Sequence, residues 1–395
     1  MLQCYILPMP IRLTPLEKRV AREFAALKER SGSHSPSPAM LKGIKGVSVT
    51  HDFCYLGNPY ATEVFLKYFR RDFKDDGELR SIVAYYPSQN RALAKKLERV
   101  IAVPSEQIFV GNGATEIIQA VLSHFVQQKV LVPIPTFSPY LEFAKEGVQL
   151  VRHQLQKADE FRLNTDAFLA QVRKERPDTV VIINPNNPDG GYINPSVLRR
   201  LFGKLKHLAT VIVDESFIHF TGKRIHSIAH FVSTYPNLVV IKSLSKDFGI
   251  AGLRLGYGVM SKERVSTLLA RGYLWNVSGF GEYFLNLLSR KDFLKEYKRA
   301  RERAVGERDR FFRLLSRVQG LKVYPSLANS FLIEIQSGGS AADLTVRLLV
   351  RHGIYVRECS DKVGLKGEFI RVACRTTEEN SFFLAAIQRL FPQQF

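Results

Sequence analysis

The 395-residue sequence lacks the marks of a membrane or secreted protein. It contains no run of about eighteen apolar residues, which is roughly the length needed to cross a bilayer. Its first residues, MLQCYILPMPIRLTPLEKR, have neither the basic-then-apolar order nor the small-residue cleavage site of a secretory signal. We therefore expect a cytoplasmic protein with no membrane partner.

Cysteine is also scarce, and the chain has only Cys4, Cys54, Cys359 and Cys374. These residues are scattered, without CxxC or zinc-ligand spacing, so they predict free thiols rather than a disulfide framework. The same spacing argues against a metal site. Neither redox chemistry nor metal chemistry is indicated.

Acidic residues are few, 37 against 57 Lys and Arg, which gives a formal net charge of +20. Such a positive field favours an anionic partner. No helix-turn-helix, zinc-finger or aromatic-basic sheet signature is present, and acids are interleaved with the basic residues, as in KDFLKEYKRARERAVGERDR (291–310). We expect a phosphorylated substrate and cofactor rather than nucleic acid. The alternative is a protein that keeps a cofactor-binding domain but functions in binding or regulation. Salt-dependent retention on DNA, absent for an equally basic control, would support this alternative.

Three segments are predicted along the chain. Residues 1–42 hold an amphipathic helix, with Leu16, Val20, Phe24 and Leu27 at helical spacing, followed by the Ser/Pro linker SGSHSPSPA. Residues 43–290 alternate buried-strand and helix patterns and form a large domain, whose first part, 43–70, is an arm. Residues 291–395 form a smaller α+β domain. The helix docks on the body of the chain or on a partner, or it is the remnant of a segment that was once longer; the sequence leaves these alternatives open.

A lysine follows one of the predicted buried strands. The strand NLVVIK (237–242) leads into a Ser-Leu-Ser turn and then Lys246, with Arg254 eight residues later. Ligands bind at the carboxyl ends of strands in open α/β sheets, and an amine held there could condense with a carbonyl group. Taken alone, such a lysine is more often a solvated surface charge.

Two further strand ends carry chemistry. The turn Gly-Asn-Gly before Ala114 and Thr115 opens a helix whose free N–H groups could bind phosphate, although most glycine-rich turns are only turns. The strand ATVIVD ends at Asp214. A buried carboxylate is costly unless a cation lies beside it. We therefore predict that Asp214 pairs with a cation; the alternative is that its side chain caps a helix or a turn.

These elements, in this order, resemble the fold-type I pyridoxal 5'-phosphate (PLP) enzymes, in particular the branch with histidinol-phosphate aminotransferase and threonine-phosphate decarboxylase. The resemblance runs from about residue 50 to the end of the chain. It implies an α/β fold with a doubly wound, mostly parallel sheet, a smaller α+β C-terminal domain, PLP as cofactor and a homodimer with shared active sites.

The resemblance also assigns roles. Lys246 becomes the catalytic lysine that links covalently to the cofactor. Phe137, otherwise a core aromatic, stacks on the pyridine ring; Asn187 donates to its phenolic oxygen and Asp214 holds its nitrogen. Tyr60 reaches the neighbouring subunit's cofactor phosphate. The remaining cofactor-binding residues are Gly113, Ala114, Thr115, Ser243, Ser245 and Arg254.

The substrate is less constrained by these motifs. Arg371, in EFIRVACRTTEEN, and Arg357 match substrate-anion residues of the branch, although a lone arginine is commonly a surface ion-pair residue. We predict an aminotransferase that moves an amino group between a small phosphate- or phosphonate-bearing amine or amino acid and a 2-oxo acid. The alternative is a decarboxylase of a phospho-amino acid. Asp189 replaces the customary threonine of the branch, and Phe217 replaces its tyrosine, as on the threonine-phosphate decarboxylase side.

Overall fold

The computed structural model describes residues 13–32, 35–222, 225–337 and 339–391. Cys4, the first twelve residues and two positions of the Ser/Pro linker therefore lie outside the described residues. The helices are α1 (Pro15–Arg30), α2 (Pro38–Leu41), α3 (Pro59–Asp72), α4 (Asp76–Ala84), α5 (Asn90–Ile101), α6 (Ala114–Phe125), α7 (Pro139–Glu142), α8 (Thr165–Glu175), α9 (Pro195–Leu205), α10 (Lys262–Leu269), α11 (Gly279–Leu287), α12 (Lys291–Leu315), α13 (Ala341–His352) and α14 (Thr377–Leu390). The strands are β1 (His51–Asp52), β2 (Ile108–Gly111), β3 (Lys129–Ile134), β4 (Gln149–Gln154), β5 (Thr179–Ile183), β6 (Thr210–Asp214), β7 (Leu238–Ser243), β8 (Gly256–Val259), β9 (Leu321–Val323), β10 (Ser330–Ile335), β11 (Ile354–Tyr355), β12 (Arg357–Glu358) and β13 (Phe369–Ala373).

The largest sheet has seven strands in the order β2-β8-β7-β6-β5-β3-β4. Neighbouring strands are parallel except β8, which runs antiparallel to both β2 and β7. This mostly parallel α/β sheet confirms the predicted fold class.

Both faces of the central strands are buried, which explains why β3, β5, β6 and β7 are largely apolar, whereas the edge strand β4 is not. Val180 and Ile182 of β5 point into one hydrophobic cluster, and Val181 and Ile183 point into another. Helices cover each face, as a parallel sheet with crossover helices requires.

The C-terminal part of the chain builds a second, four-stranded antiparallel sheet in the order β12-β13-β10-β9. Its apolar side chains, including Phe331 and Ile370, form a cluster with Phe311 of α12 and Phe383 of α14. The exact domain boundaries remain a prediction. Across the described residues, no helix is both long and apolar enough to cross a lipid bilayer.

Helix α1 packs on the body of its own chain. Its Val20 and Phe24 share a small apolar cluster with Val346 and Leu349 of α13. Of the two docking modes left open by the sequence, the structure therefore shows the intramolecular one.

Candidate active site

The parallel strands place most of the predicted cofactor residues at one edge of the large sheet. Six strands, β2 to β7, end at this edge, and the antiparallel β8 begins there. Because each predicted segment directly follows or precedes one of these ends, the fold gathers residues that are far apart in sequence. The residues concerned are Gly113, Ala114, Thr115, Phe137, Asn187, Asp214, Ser243, Ser245, Lys246 and Arg254.

The start of α6 is shaped for an anion. Its N-cap residue, Gly113, has φ +81° and supplies no side-chain cap, so the first amide groups of the helix have no capping side chain. A Cβ at Gly113 would lie 2.5 Å from Nη2 of Arg254. The Oγ of Ser245 is buried and has no hydrogen-bond partner among the described residues. A glycine and a guanidinium thus meet at a helix N-terminus, where phosphate binds well, and an unsatisfied hydroxyl lies in the segment after β7 at the same sheet edge.

Lys246 is half-buried just beyond β7. Its backbone carbonyl accepts a hydrogen bond of 2.9 Å from the amide of Asn58. Burial, together with the nearby charges of Arg371 and Arg254, lowers the pKa of the Lys246 amine to about 8. Part of the lysine population is therefore a neutral amine near neutral pH, as a carbonyl-condensing residue requires.

Asp214 ends β6 and is 3% exposed. The Tyr140 hydroxyl donates to its Oδ2 at 2.9 Å, and the Ser216 amide donates to its Oδ1 at 2.8 Å. Burial raises the pKa of Asp214, while these two donors act in the opposite direction. Tyr140 was not predicted from the sequence, because nothing local marks a tyrosine that contacts an acid 74 positions away.

Arg371 joins the two sheets at the site. Its Nη1 donates to Oδ1 of Asn187 at 2.8 Å, and its Nη2 donates to the Cys54 carbonyl at 2.7 Å. The Nε is buried without a partner among the described residues. The structure thus brings Arg371 and Asn187 into direct contact, and no carboxylate among the described residues forms a hydrogen bond with Arg371.

Arg357 and Tyr60 make contacts of a different kind. Arg357 forms an ion pair with Oδ2 of Asp361 at 2.5 Å and donates to the Glu358 carbonyl at 2.7 Å. The Tyr60 hydroxyl accepts a hydrogen bond of 3.1 Å from the amide of Thr377 in its own chain. The intersubunit role of Tyr60 and the substrate role of Arg357 therefore stay predictions.

A buried polar network beside Lys246 was not predicted from the sequence. Lys242 donates to Asp247 at 2.9 Å, and Asp247 also contacts His219 and accepts a hydrogen bond of 2.9 Å from Tyr297. Burial acts to raise the pKa of Asp247, but the charge of Lys242 and the contact with His219 outweigh it, so the pKa is well below its usual range. This network fixes the backbone at the residue that follows Lys246.

The two departures from the family pattern are both buried. Asp189 accepts hydrogen bonds from Asn186 and from the Gly191 amide, and burial raises its pKa to about 7. Phe217 is 4% exposed. It lies in an apolar cluster with Leu56, Phe220, Ala304, Ala328 and Ala373.

The chain matches the model of the family "Aminotransferase class I and II" over residues 53–387. It is 46% identical over 390 residues to an L-serine phosphate decarboxylase from Campylobacter jejuni, covering 98% of this chain and 100% of that protein. It is 30% identical over 318 residues to a histidinol-phosphate aminotransferase from Methanococcus aeolicus, covering 79% of this chain and 84% of that one. A solved decarboxylase from Sulfurospirillum multivorans superposes with a TM-score of 0.91 at 42% identity, covering 96% of this chain and 98% of that one.

These similarities confirm the resemblance to the fold-type I branch and, with it, PLP as the cofactor. The prediction of an aminotransferase is wrong, because the relative at 46% identity and the neighbour with a TM-score of 0.91 are both decarboxylases. The motifs that carried the prediction bind the cofactor and are common to both reactions. They do not determine which bond of the substrate is broken.

Proposed function

We propose that the chain, which belongs to the family of class I and II aminotransferases, is a PLP-dependent decarboxylase of L-serine phosphate. The observation that carries this proposal is the 46% identity, over nearly the whole of both chains, to an L-serine phosphate decarboxylase. In the reaction, the substrate carboxylate leaves as CO₂ and a proton takes its place on Cα. The other product is O-phosphoethanolamine.

The residues present fit the cofactor. The uncapped start of α6, Arg254 and the unsatisfied hydroxyl of Ser245 suit its phosphate. Asp214, buried with two neutral donors, suits a cationic ring nitrogen. Asn187 accepts from Arg371 through Oδ1, which leaves its Nδ2 donor for the phenolic oxygen. When bound, PLP supplies an electron sink for the charge left on the substrate Cα.

The chain's own residues then have distinct tasks. Lys246, with its pKa lowered to about 8, can give or take a proton next to the reacting carbon. Arg371 offers a buried guanidinium, held by two neutral acceptors, to a substrate anion. Phe217 brings no hydroxyl to the region where aminotransferases of the branch have a tyrosine. The pocket is therefore less polar on that side.

We also propose a homodimer, since small-molecule enzymes of this family are typically dimers. In that assembly Tyr60 would serve the partner's cofactor phosphate, although within one chain its hydroxyl contacts Thr377. The centre of the Tyr60 ring lies 4.2 Å from the guanidinium carbon of Arg303, so a cation packs against the ring.

The first prediction tests the reaction. Purified protein loaded with PLP is incubated with L-serine phosphate, and CO₂ is measured together with O-phosphoethanolamine by phosphorus NMR. We expect the two products in equal amounts, with much slower release from L-serine. Lys246→Ala is the inactive control. Formation of an oxo acid without CO₂, in the presence of a 2-oxo acid acceptor, would refute the proposal.

A further inference from the structure

A buried lysine that no sequence motif marks lies in the loop between β12 and β13. Lys362 is 6% exposed, and its Nζ donates to the Ser138 hydroxyl at 2.7 Å. Ser138 follows Phe137, the residue predicted to stack on the cofactor ring, so the ammonium group reaches the candidate active site from the small sheet. Gly364, two residues later, packs against the backbone of Ile134 at the end of β3.

The hydrogen-bond partner of Lys362 is neutral. No acidic side chain among the described residues forms an ion pair with it, whereas the equally buried Lys242 is paired with Asp247 at 2.9 Å. An ammonium group removed from water without a counter-ion is costly. A site of this kind is explained if an anionic ligand supplies the missing charge.

The surroundings of Lys362 are cationic as well. Burial, with Arg357 and Arg371 nearby, lowers its pKa to about 8, and Cys359 and Asp361 only partly oppose this shift. Of the two arginines, Arg357 is paired with Asp361, whereas Arg371 donates to two neutral oxygens. Lys362 and Arg371 are thus two buried cations whose hydrogen bonds end on neutral acceptors.

Resting on the proposed function, we infer that Lys362 binds the phosphate of the substrate, with Arg371 binding its carboxylate. Arg371 donates to Oδ1 of Asn187, the residue assigned to the cofactor's phenolic oxygen, at 2.8 Å. It therefore suits the anion attached to the reacting carbon. Lys362 suits the anion at the far end of a short substrate, and the Ser138 hydroxyl can add a hydrogen bond to a phosphate oxygen.

The second prediction measures this role without turnover. Binding of O-phosphoethanolamine and of ethanolamine to the PLP-loaded protein is compared by calorimetry. We expect Lys362→Met to weaken binding of O-phosphoethanolamine about 30-fold or more, the loss that follows when one partner of a desolvated charge pair is removed. Binding of ethanolamine should be unchanged. Lys366→Met, at an exposed position of the same loop, is the matched control and should change neither.

Two further variants separate charge from packing. Lys362→Gln keeps a donor for Ser138 without the charge and should lose phosphate selectivity like Lys362→Met, whereas Lys362→Arg should restore part of it. Kinetically, the KM for L-serine phosphate should rise while kcat changes little. Unfolding midpoints identify any variant that fails to fold.

The binding data also separate this inference from the proposed function. If the wild type releases no CO₂ but its preference for O-phosphoethanolamine over ethanolamine depends on Lys362, the proposed reaction fails and the phosphate site stands. If the wild type shows no such preference, or if Lys362→Gln and Lys362→Met bind O-phosphoethanolamine within threefold of the wild type, the phosphate role of Lys362 is overturned.

Discussion

Lys246 illustrates how one side chain acquires its chemistry from its surroundings. A free lysine amine has a pKa near 10.5, and at neutral pH it is almost entirely an ammonium ion. Burial beside Arg371 and Arg254 lowers this pKa to about 8. The nucleophile needed for covalent attachment is the neutral amine, so the surroundings raise its fraction at pH 7 by more than a hundredfold.

The third prediction follows from this shift. Attachment of PLP to the apoprotein requires deprotonated Lys246, so its rate should rise with pH through about 8 and level off above it. The rate at pH 7 should be about a tenth of the plateau. Stopped-flow absorbance of apoprotein mixed with PLP measures this profile. A rate that continues to climb toward pH 10 would contradict a lowered pKa, and Lys246→Ala should form no borohydride-fixed adduct.

At the scale of single residues, the sequence predicts what local spacing controls. Lys246, Asp214 and Gly113 each lie beside a recognisable strand or helix end, so their positions could be predicted. Lys362 contacts Ser138 across 224 positions, and no local pattern announces that contact. Such a partner depends on how one loop folds back over another part of the chain, which propensity and periodicity do not encode.

At the scale of elements, helix α1 is tied to the segment that carries Arg357 and Lys362. Lys28, near its C-terminal end, forms an ion pair with Asp361 at 3.1 Å, contacts Glu358 and donates to Ser360 at 3.1 Å. Glu358 and Lys28 are both largely buried. The additional N-terminal helix thus holds the start of the loop that delivers Lys362 to the site.

The fourth prediction is that Lys28→Ala destabilises the protein. Removing the cation leaves Glu358 and Asp361 without it in a largely buried setting, and we expect the free energy of unfolding to fall by about 1–3 kcal/mol. Urea unfolding followed by fluorescence measures the change. Lys18→Ala, at an exposed position of the same helix, is the control and should change it by less than about 0.5 kcal/mol. Equal effects of the two variants would show that the contacts of Lys28 contribute nothing.

At the scale of the whole molecule, the α/β fold and its mostly parallel sheet could be predicted because motifs at the strand and helix ends carry the resemblance to a known family. The docking of α1 was not predictable, because its apolar stripe fits the body or a partner equally well. The reaction was not predictable either. Decarboxylation and amino transfer share the cofactor residues, and they differ in which substrate bond stands perpendicular to the cofactor ring.

One surface of the molecule is unusually apolar. Val83, Tyr85 and Tyr86, where α4 ends, are 70%, 74% and 81% exposed, and Leu274 and Trp275 are 53% and 46% exposed. The rings of Tyr86 and Trp275 lie 5.0 Å apart, which joins the two segments into one patch. Exposed aromatic groups of this kind mark interaction surfaces.

The fifth prediction is that this patch contributes to the interface of the proposed homodimer. Closed dimers use the same surface on both subunits, so one substitution acts twice. Buried Tyr and Trp side chains dominate interface energies, and Tyr86→Asp combined with Trp275→Asp should raise the dimer dissociation constant at least about 30-fold. Sedimentation velocity across a dilution series measures this constant. Met40→Asp, which changes a 43% exposed residue of α2, is the control and should leave it unchanged. A wild type that sediments as a monomer would show that there is no homodimer. A double variant that dissociates no more readily than the control would show that the interface lies elsewhere.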